Sequence, residues 1–157
     1  MATPIYTPLV ANGANGLVFS SAKSANYGRY SSAAPTPVNV GSDVVIQLAT
    51  VNHASPFVTP SGGGIFVPNT TGDYELAFQG EMAYSDTTTQ FDVFFQVNGG
   101  TVISSRIGMV PIVGTYGFNL MCPGVHINQG STVLVAVRRV NGAGTGVVIG
   151  NFFITLK

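Results

Sequence analysis

Apolar and polar positions alternate most clearly between residues 64 and 108. A short apolar run at 64–67 leads into the turn sequence Pro-Asn-Thr-Thr-Gly-Asp. The next segment puts Tyr74, Leu76, Phe78 and Met82 on one parity. After the polar turn Ser-Asp-Thr-Thr-Thr, another puts Phe91, Val93, Phe95 and Val97 on one parity. Period-two hydrophobicity predicts strands with one face on a core, and Asn98-Gly99 predicts a tight antiparallel hairpin. Elsewhere Gly, Pro, Asn, Ser and Thr recur about every 8–12 residues, and no segment keeps a helical period. The pattern predicts strands at 17–21, 44–49, 57–59, 64–67, 73–84, 90–97, 101–109, 116–122, 132–140 and 147–156. Ten strands in a domain of this size make an all-β, two-sheet antiparallel sandwich with no significant helix. Between the first two strands, SAKSANYGRYSSAAPTPVNVG is small and polar and predicts an ordered loop. Tyr74, Leu76, Phe78, Phe91, Val93, Phe95, Val133 and Val135 are the expected core.

Two segments break the alternation. In VVIGNFFITLK both parities are apolar: Val148, Phe152, Ile154 and Leu156 on one, Val147, Ile149 and Phe153 on the other. YGFNLMC is similarly mixed, with Tyr116, Phe118 and Leu120 opposite Met121. A strand buried on one side only alternates cleanly, so the second face meets something else. An obligate interface resembles a domain core cut in half. Tyr116, Phe118, Leu120, Val147, Ile149 and Phe153 are therefore the expected subunit interface. Residues 1–15 form an expected extended arm ahead of a single domain spanning 16–157. Pro4 and Pro8 discourage regular structure there, while Ile5, Tyr6, Leu9 and Val10 supply apolar anchors for docking.

Composition narrows the function classes. The 157 residues suit one domain that buries roughly 70% of its unfolded surface. Charged residues make up 8% and the formal net charge is zero. That argues against a basic field for nucleic acid and against a polybasic membrane arm. So few charges also leave a free monomer poorly solubilised, which favours a chain whose surface is largely covered. The single cysteine, Cys122, excludes an internal disulfide. No stretch approaches the roughly 20 apolar residues of a membrane span. MATPIYTPLVANGANG has neither the basic region nor the apolar run of a signal peptide. A chain made in a cytoplasm and carried out inside a particle fits this, as does one whose leader was removed.

Several short motifs, taken in order, resemble the jelly-roll family shared by tumour necrosis factor cytokines and the globular heads of complement and collagen-like proteins. Phe66-Val67-Pro68-Asn69 through Gly72-Asp73-Tyr74 matches its F-x-x-P-x-x-G-x-Y passage. Phe91 to Val93 and Val97-Asn98-Gly99 match F-x-V-x-x-N-G. Ile127-Asn128-Gln129-Gly130 with Val133-Leu134-Val135 matches L-x-x-G-x-x-V-x-V, and Asn151-Phe152-Phe153-Ile154 matches the closing aromatic strand. The likeness runs from about residue 44 to 157. It implies a ten-stranded jelly roll packed as a threefold trimer through its inner sheet, which holds the first, third, sixth and last main strands. Collagen repeats are missing, and Asp86 and Asp92 stand alone, whereas calcium wants six to eight oxygens. Receptor and complement roles therefore do not carry over.

Catalytic chemistry is thinly represented. His53 and His126 have no Cys, Asp or Glu at zinc-ligand spacing. Cys122 precedes Pro123 without a base nearby in sequence and is read as a small buried residue. No Gly-x-Ser-x-Gly elbow occurs. Glu75 and Glu81 lie six residues apart on one strand parity, roughly 20 Å, beyond glycosidase carboxylate spacing; they face solvent or pair with Arg138 or Arg139 across an interface. The glycine-rich runs at 61–64 and 141–146 each enter a strand, so they are turns and not phosphate cradles. Asn69-Thr70-Thr71 is a formal glycosylation sequon on a turn. Phe94, Tyr27 and Tyr30 are candidate sugar-stacking aromatics.

The expectation is a non-enzymatic, cofactor-free homotrimer that works by assembly. It would sit on a virus particle or similar surface layer, against other structural proteins, with a surface glycan or host receptor as a further candidate partner. The alternative is an extracellular or cell-surface ligand- or carbohydrate-binding head at the tip of a fibre.

Overall fold

The computed structural model describes residues 9–11, 17–19, 26–39, 41–85, 88–102, 107–109 and 114–157. No helix among them is long and apolar enough to cross a membrane. Two antiparallel sheets hold most of them. The inner sheet runs β13 (Gly114–Ile127), β9 (Gly72–Tyr84), β15 (Gly146–Leu156), β3 (Tyr27–Ser31) and β6 (Thr50–His53), with β4 (Thr36–Val38) also paired to β15. The outer sheet runs β11 (Gly100–Thr101), β10 (Gln90–Val97), β14 (Val133–Asn141), β8 (Ile65–Pro68) and β7 (Val58–Gly62). There β5 (Val44–Val45) joins β14 and β12 (Ile107–Met109) joins β10. From β8 onward the main strands alternate between sheets, which makes the sandwich a jelly roll.

The period-two segments behave as their pattern dictates. Tyr74, Leu76, Phe78, Phe91, Val93, Phe95, Val133 and Val135 are all buried between the sheets. Aromatic rings fill the middle. Phe66 packs on Tyr30 at 4.4 Å and on Phe152 at 5.0 Å, and Phe152 meets Phe95 at 5.9 Å. Full burial of each such side chain contributes about 1.5–3 kcal/mol. Asn98 and Gly99, with φ of 51° and 77°, close the β10–β11 hairpin as Asn-Gly does where both turn residues need positive φ. Gly64, at φ 81°, ends the β7–β8 turn so close to β5 that a Cβ would lie 2.1 Å from the Ile46 carbonyl oxygen. Gly63 and Gly64 thus form the β7–β8 turn, and residues 142–145 join β14 to β15, so neither glycine-rich run opens a helix.

Three expectations need correction. The stretch expected to be a loop contains β3 and β4. Strand β3 buries only Gly28 and Tyr30, too little apolar alternation to register as a strand. The expected first strand at 17–21 is β2 (Leu17–Phe19), which pairs with β1 (Leu9–Ala11) and not with the sandwich path. The expected arm therefore carries local structure at Leu9 and Val10, whereas Ile5 and Tyr6 lie outside the described residues. Finally, Thr50–His53 forms the inner-sheet edge strand β6, although its residues are polar or exposed. Two prolines lie on edge strands: Pro60 on β7, and Pro123 on β13 at a register shift between Cys122 and Val125.

Candidate functional site

The inner sheet turns one face to the core and the other away from it. Cross-strand register arranges the outward residues in rows. Met121, Ala77, Phe153 and Arg29 form one row, and Asn119, Gln79, Asn151 and Ser31 the next. Gly117, Glu81 and Ile149 follow, then Thr115, Ala83 and Val147. Such aligned residues on one face of a sheet are direct neighbours. Met121 is 57% exposed, and Val147 and Ile149 are 40% exposed each. These are large apolar side chains on the far side of strands whose other parity already fills the core.

Two shallow hollows mark the face. One of about 500 Å³ lies over Gln79, Glu81, Asn119, Ile149 and Asn151. Another of about 400 Å³ lies between Ala77, Met121 and Phe153. Glycines bound the larger hollow: Gly117 faces outward, and the paired Gly80 and Gly150 sit where the Phe78 ring presses against the sheet. A Cβ on Gly150 would lie 2.5 Å from both the Gln79 carbonyl oxygen and the Phe78 ring.

The charged residues of the face are mostly matched within the chain. Lys157 Nζ is 3.3 Å from Glu75, and the His126 ring is 2.9 Å from Asp73. Arg29 stacks over Phe153 at 5.5 Å and donates to Asn151 Oδ1 at 3.4 Å. Tyr27 stacks on His53 at 4.6 Å. Among the described residues, no group of three or more His, Cys, Asp or Glu is placed to hold a metal ion.

Of the residues expected at an interface, Val147, Ile149 and Phe153 do lie on this outward face. Tyr116 is 46% exposed but keeps the inward parity of β13. Phe118 and Leu120 do not face outward. They are 6% and 4% exposed, Phe118 packs on Phe78 at 5.7 Å, and both belong to the core. The outward residues of β13 include Thr115, Gly117, Asn119 and Met121, and the opposed parity of Met121 is the sequence signal for this. Arg29 and Gln79 also belong to this face and carry no apolar signal in the sequence; Arg29 lies in a stretch whose composition predicts a loop.

Several other expectations change. Glu75 finds its partner in Lys157, the residue that follows β15. Arg138 is instead on the outer sheet, where it donates to Asp43 and sits over Phe94 at 5.5 Å. That Arg138 hydrogen bond, aided by Gln96 Nε2 at 2.6 Å, holds the Asp43 carboxyl below its ordinary pKa. Phe94 and Tyr30 are buried, so of the three sugar-stacking candidates only Tyr27 is open to solvent. Asn69 of the sequon is a turn anchor: its amide donates to the Pro56 carbonyl at 3.2 Å and accepts from Thr59 Oγ1 at 3.1 Å. Cys122 is buried in the core. Asp92 is buried too, and Asp86 lies outside the described residues.

The architecture is that of tumour necrosis factor ligands and complement globular heads. The chain is similar in structure to the globular domain of zebrafish complement 1qA protein, at 9% identity and a TM-score of 0.57 over 83% of this chain and 95% of that one. Eiger TNF from S. frugiperda is similar at 10% identity and a TM-score of 0.58, over 83% and 91%. Murine APRIL is similar at 16% identity and a TM-score of 0.53, over 83% and 98%. No protein-family model matches the sequence, and no curated protein matches it either. Likeness at these identities is likeness of fold.

Proposed function

We propose that this chain is a non-enzymatic assembly protein, a homotrimer closed through the outward face of its inner sheet, serving as a spike, cap or cement piece on a virus particle or similar surface layer. One observation carries the reading. Met121, Val147, Ile149 and Phe153 stand on the far side of strands whose other parity is already core. Covering them removes apolar surface from water at about 25 cal/mol per Å². The jelly-roll fold supports the same arrangement, because the resembled family packs threefold through this sheet.

The particle role rests on composition. With 8% charged residues and zero net charge, the chain has little to keep a free subunit apart from its neighbours. In this reading the N-terminal segment, with its anchors Ile5, Tyr6, Leu9 and Val10, docks on an adjacent structural protein. Burial of Phe94 and Tyr30 weakens the carbohydrate-binding alternative. Two experiments test the reading separately. Sedimentation equilibrium at micromolar concentration reports the trimer, and a monomer mass rejects it. Antibody labelling of purified particles by electron microscopy reports the location, and unlabelled particles reject the particle role.

A further inference from the structure

Among the described residues, the outward face carries two charges that no other side chain neutralises. Of its charged residues, Glu75 is matched by Lys157 and Asp73 by His126. Arg29 and Glu81 remain without an ion-pair partner among the described residues. They cannot meet each other within one subunit. Arg29 is in register with Phe153 on one side of β15, and Glu81 with Ile149 on the other side. Four residues along the strand at about 3.4 Å each, and two strand spacings of about 4.8 Å, set their backbones roughly 17 Å apart. That exceeds the combined reach of the two side chains.

We propose that Arg29 of one subunit pairs with Glu81 of a second copy of this chain when the face closes, an inference that rests on the assembly reading above. The occupant follows from charge complementarity: one face offers a guanidinium at its β3 side and a carboxylate at its β9 side. Arg29 is held ready for it. Its guanidinium carbon lies over the Phe153 ring and one donor is accepted by Asn151, which leaves further donors of the guanidinium fork for a carboxylate. Glu81 stands beside the hollow between Gly117 and Ile149, where an incoming side chain has room. Closing the face over either charge alone would strand it away from water, so the face must bring the two together or keep both wet. Pairing opposite sides of the sheet gives a head-to-tail contact, the kind that closes into a ring.

The test is a charge-swap cycle read by sedimentation across a dilution series. Arg29→Glu and Glu81→Arg should each weaken association by about 30-fold or more, and the double variant should recover most of it. Far-ultraviolet circular dichroism checks that each variant keeps its sheet structure. Should Arg29→Glu fail to fold, Arg29→Gln and Glu81→Gln take its place, and the double Gln variant should lose no more than the worse single one. Singles that associate like the wild type, or a double as weak as the two losses added, overturn the pair while leaving the trimer standing. A wild-type chain that stays monomeric overturns the assembly reading and the pair with it.

Discussion

Phe152 and Phe153 are adjacent in sequence and point to opposite faces of β15, so truncating each reads out one face. The Phe152 ring is fully buried, 5.0 Å from Phe66 and 5.9 Å from Phe95. Phe152→Ala leaves a ring-sized void among aromatic neighbours that cannot easily collapse into it, at a cost of about 3–5 kcal/mol. Against a total stability of about 5–15 kcal/mol, that is a large fraction. At about 2–4 °C per kcal/mol for a chain of this size, Tm should fall by roughly 6–20 °C. Phe153 is half-buried under Arg29 and contributes little to the isolated fold. Phe153→Ala should change the unfolding of dissociated subunits by under about 1 kcal/mol, yet weaken association clearly. Urea unfolding at several protein concentrations separates the two, because only the assembly-linked part depends on concentration. If Phe153→Ala costs the dissociated chain as much as Phe152→Ala does, the assignment of faces is wrong.

Further expectations concern backbone and charge. Gly150→Val should destabilise by about 1–3 kcal/mol in chemical denaturation, because its Cβ collides with the Gln79 carbonyl; an unchanged midpoint would show that the strands can spread there. Asp43 has a depressed folded pKa, so its pairing with Arg138 stabilises above the unfolded value and is lost as pH falls through the folded value. Asp43→Asn should therefore lower stability near neutral pH and converge on the wild type once the pH falls below the folded value, whereas a pH-independent gap would rule out the ionic contribution.

Legibility in the sequence followed how unequal the two faces of each strand are. In β9 and β10 the inward parity is aromatic and aliphatic over several positions, and both strands were found nearly to the residue. In β13 both parities carry apolar residues, and alternation alone says which residues share a face but not which face turns inward. That choice is made by partners distant in sequence: Leu120 sits opposite Phe78, so Leu120 joins the core and Met121 is turned out. Strand β3 was hidden because half of its inward face is Gly28, whose role is to admit the Tyr30 ring; a Cβ there would lie 2.7 Å from it. The polar half of the candidate site was hidden for a related reason. Arg29, Gln79, Asn119 and Asn151 come from four different strands, and only the sheet register makes them neighbours.

The mass of the protein in solution tests the central claim most directly. Sedimentation equilibrium at micromolar concentration should give three times the 16.3 kDa chain mass, about 49 kDa. The same measurement on Phe153→Asp should give a folded species of 16.3 kDa, because the substitution removes an apolar ring from the closing face and sets a carboxylate beside Arg29, drawing the guanidinium away from the neighbouring subunit. A wild-type protein that sediments at 16.3 kDa, or a Phe153→Asp variant that remains trimeric, would contradict assembly through this face.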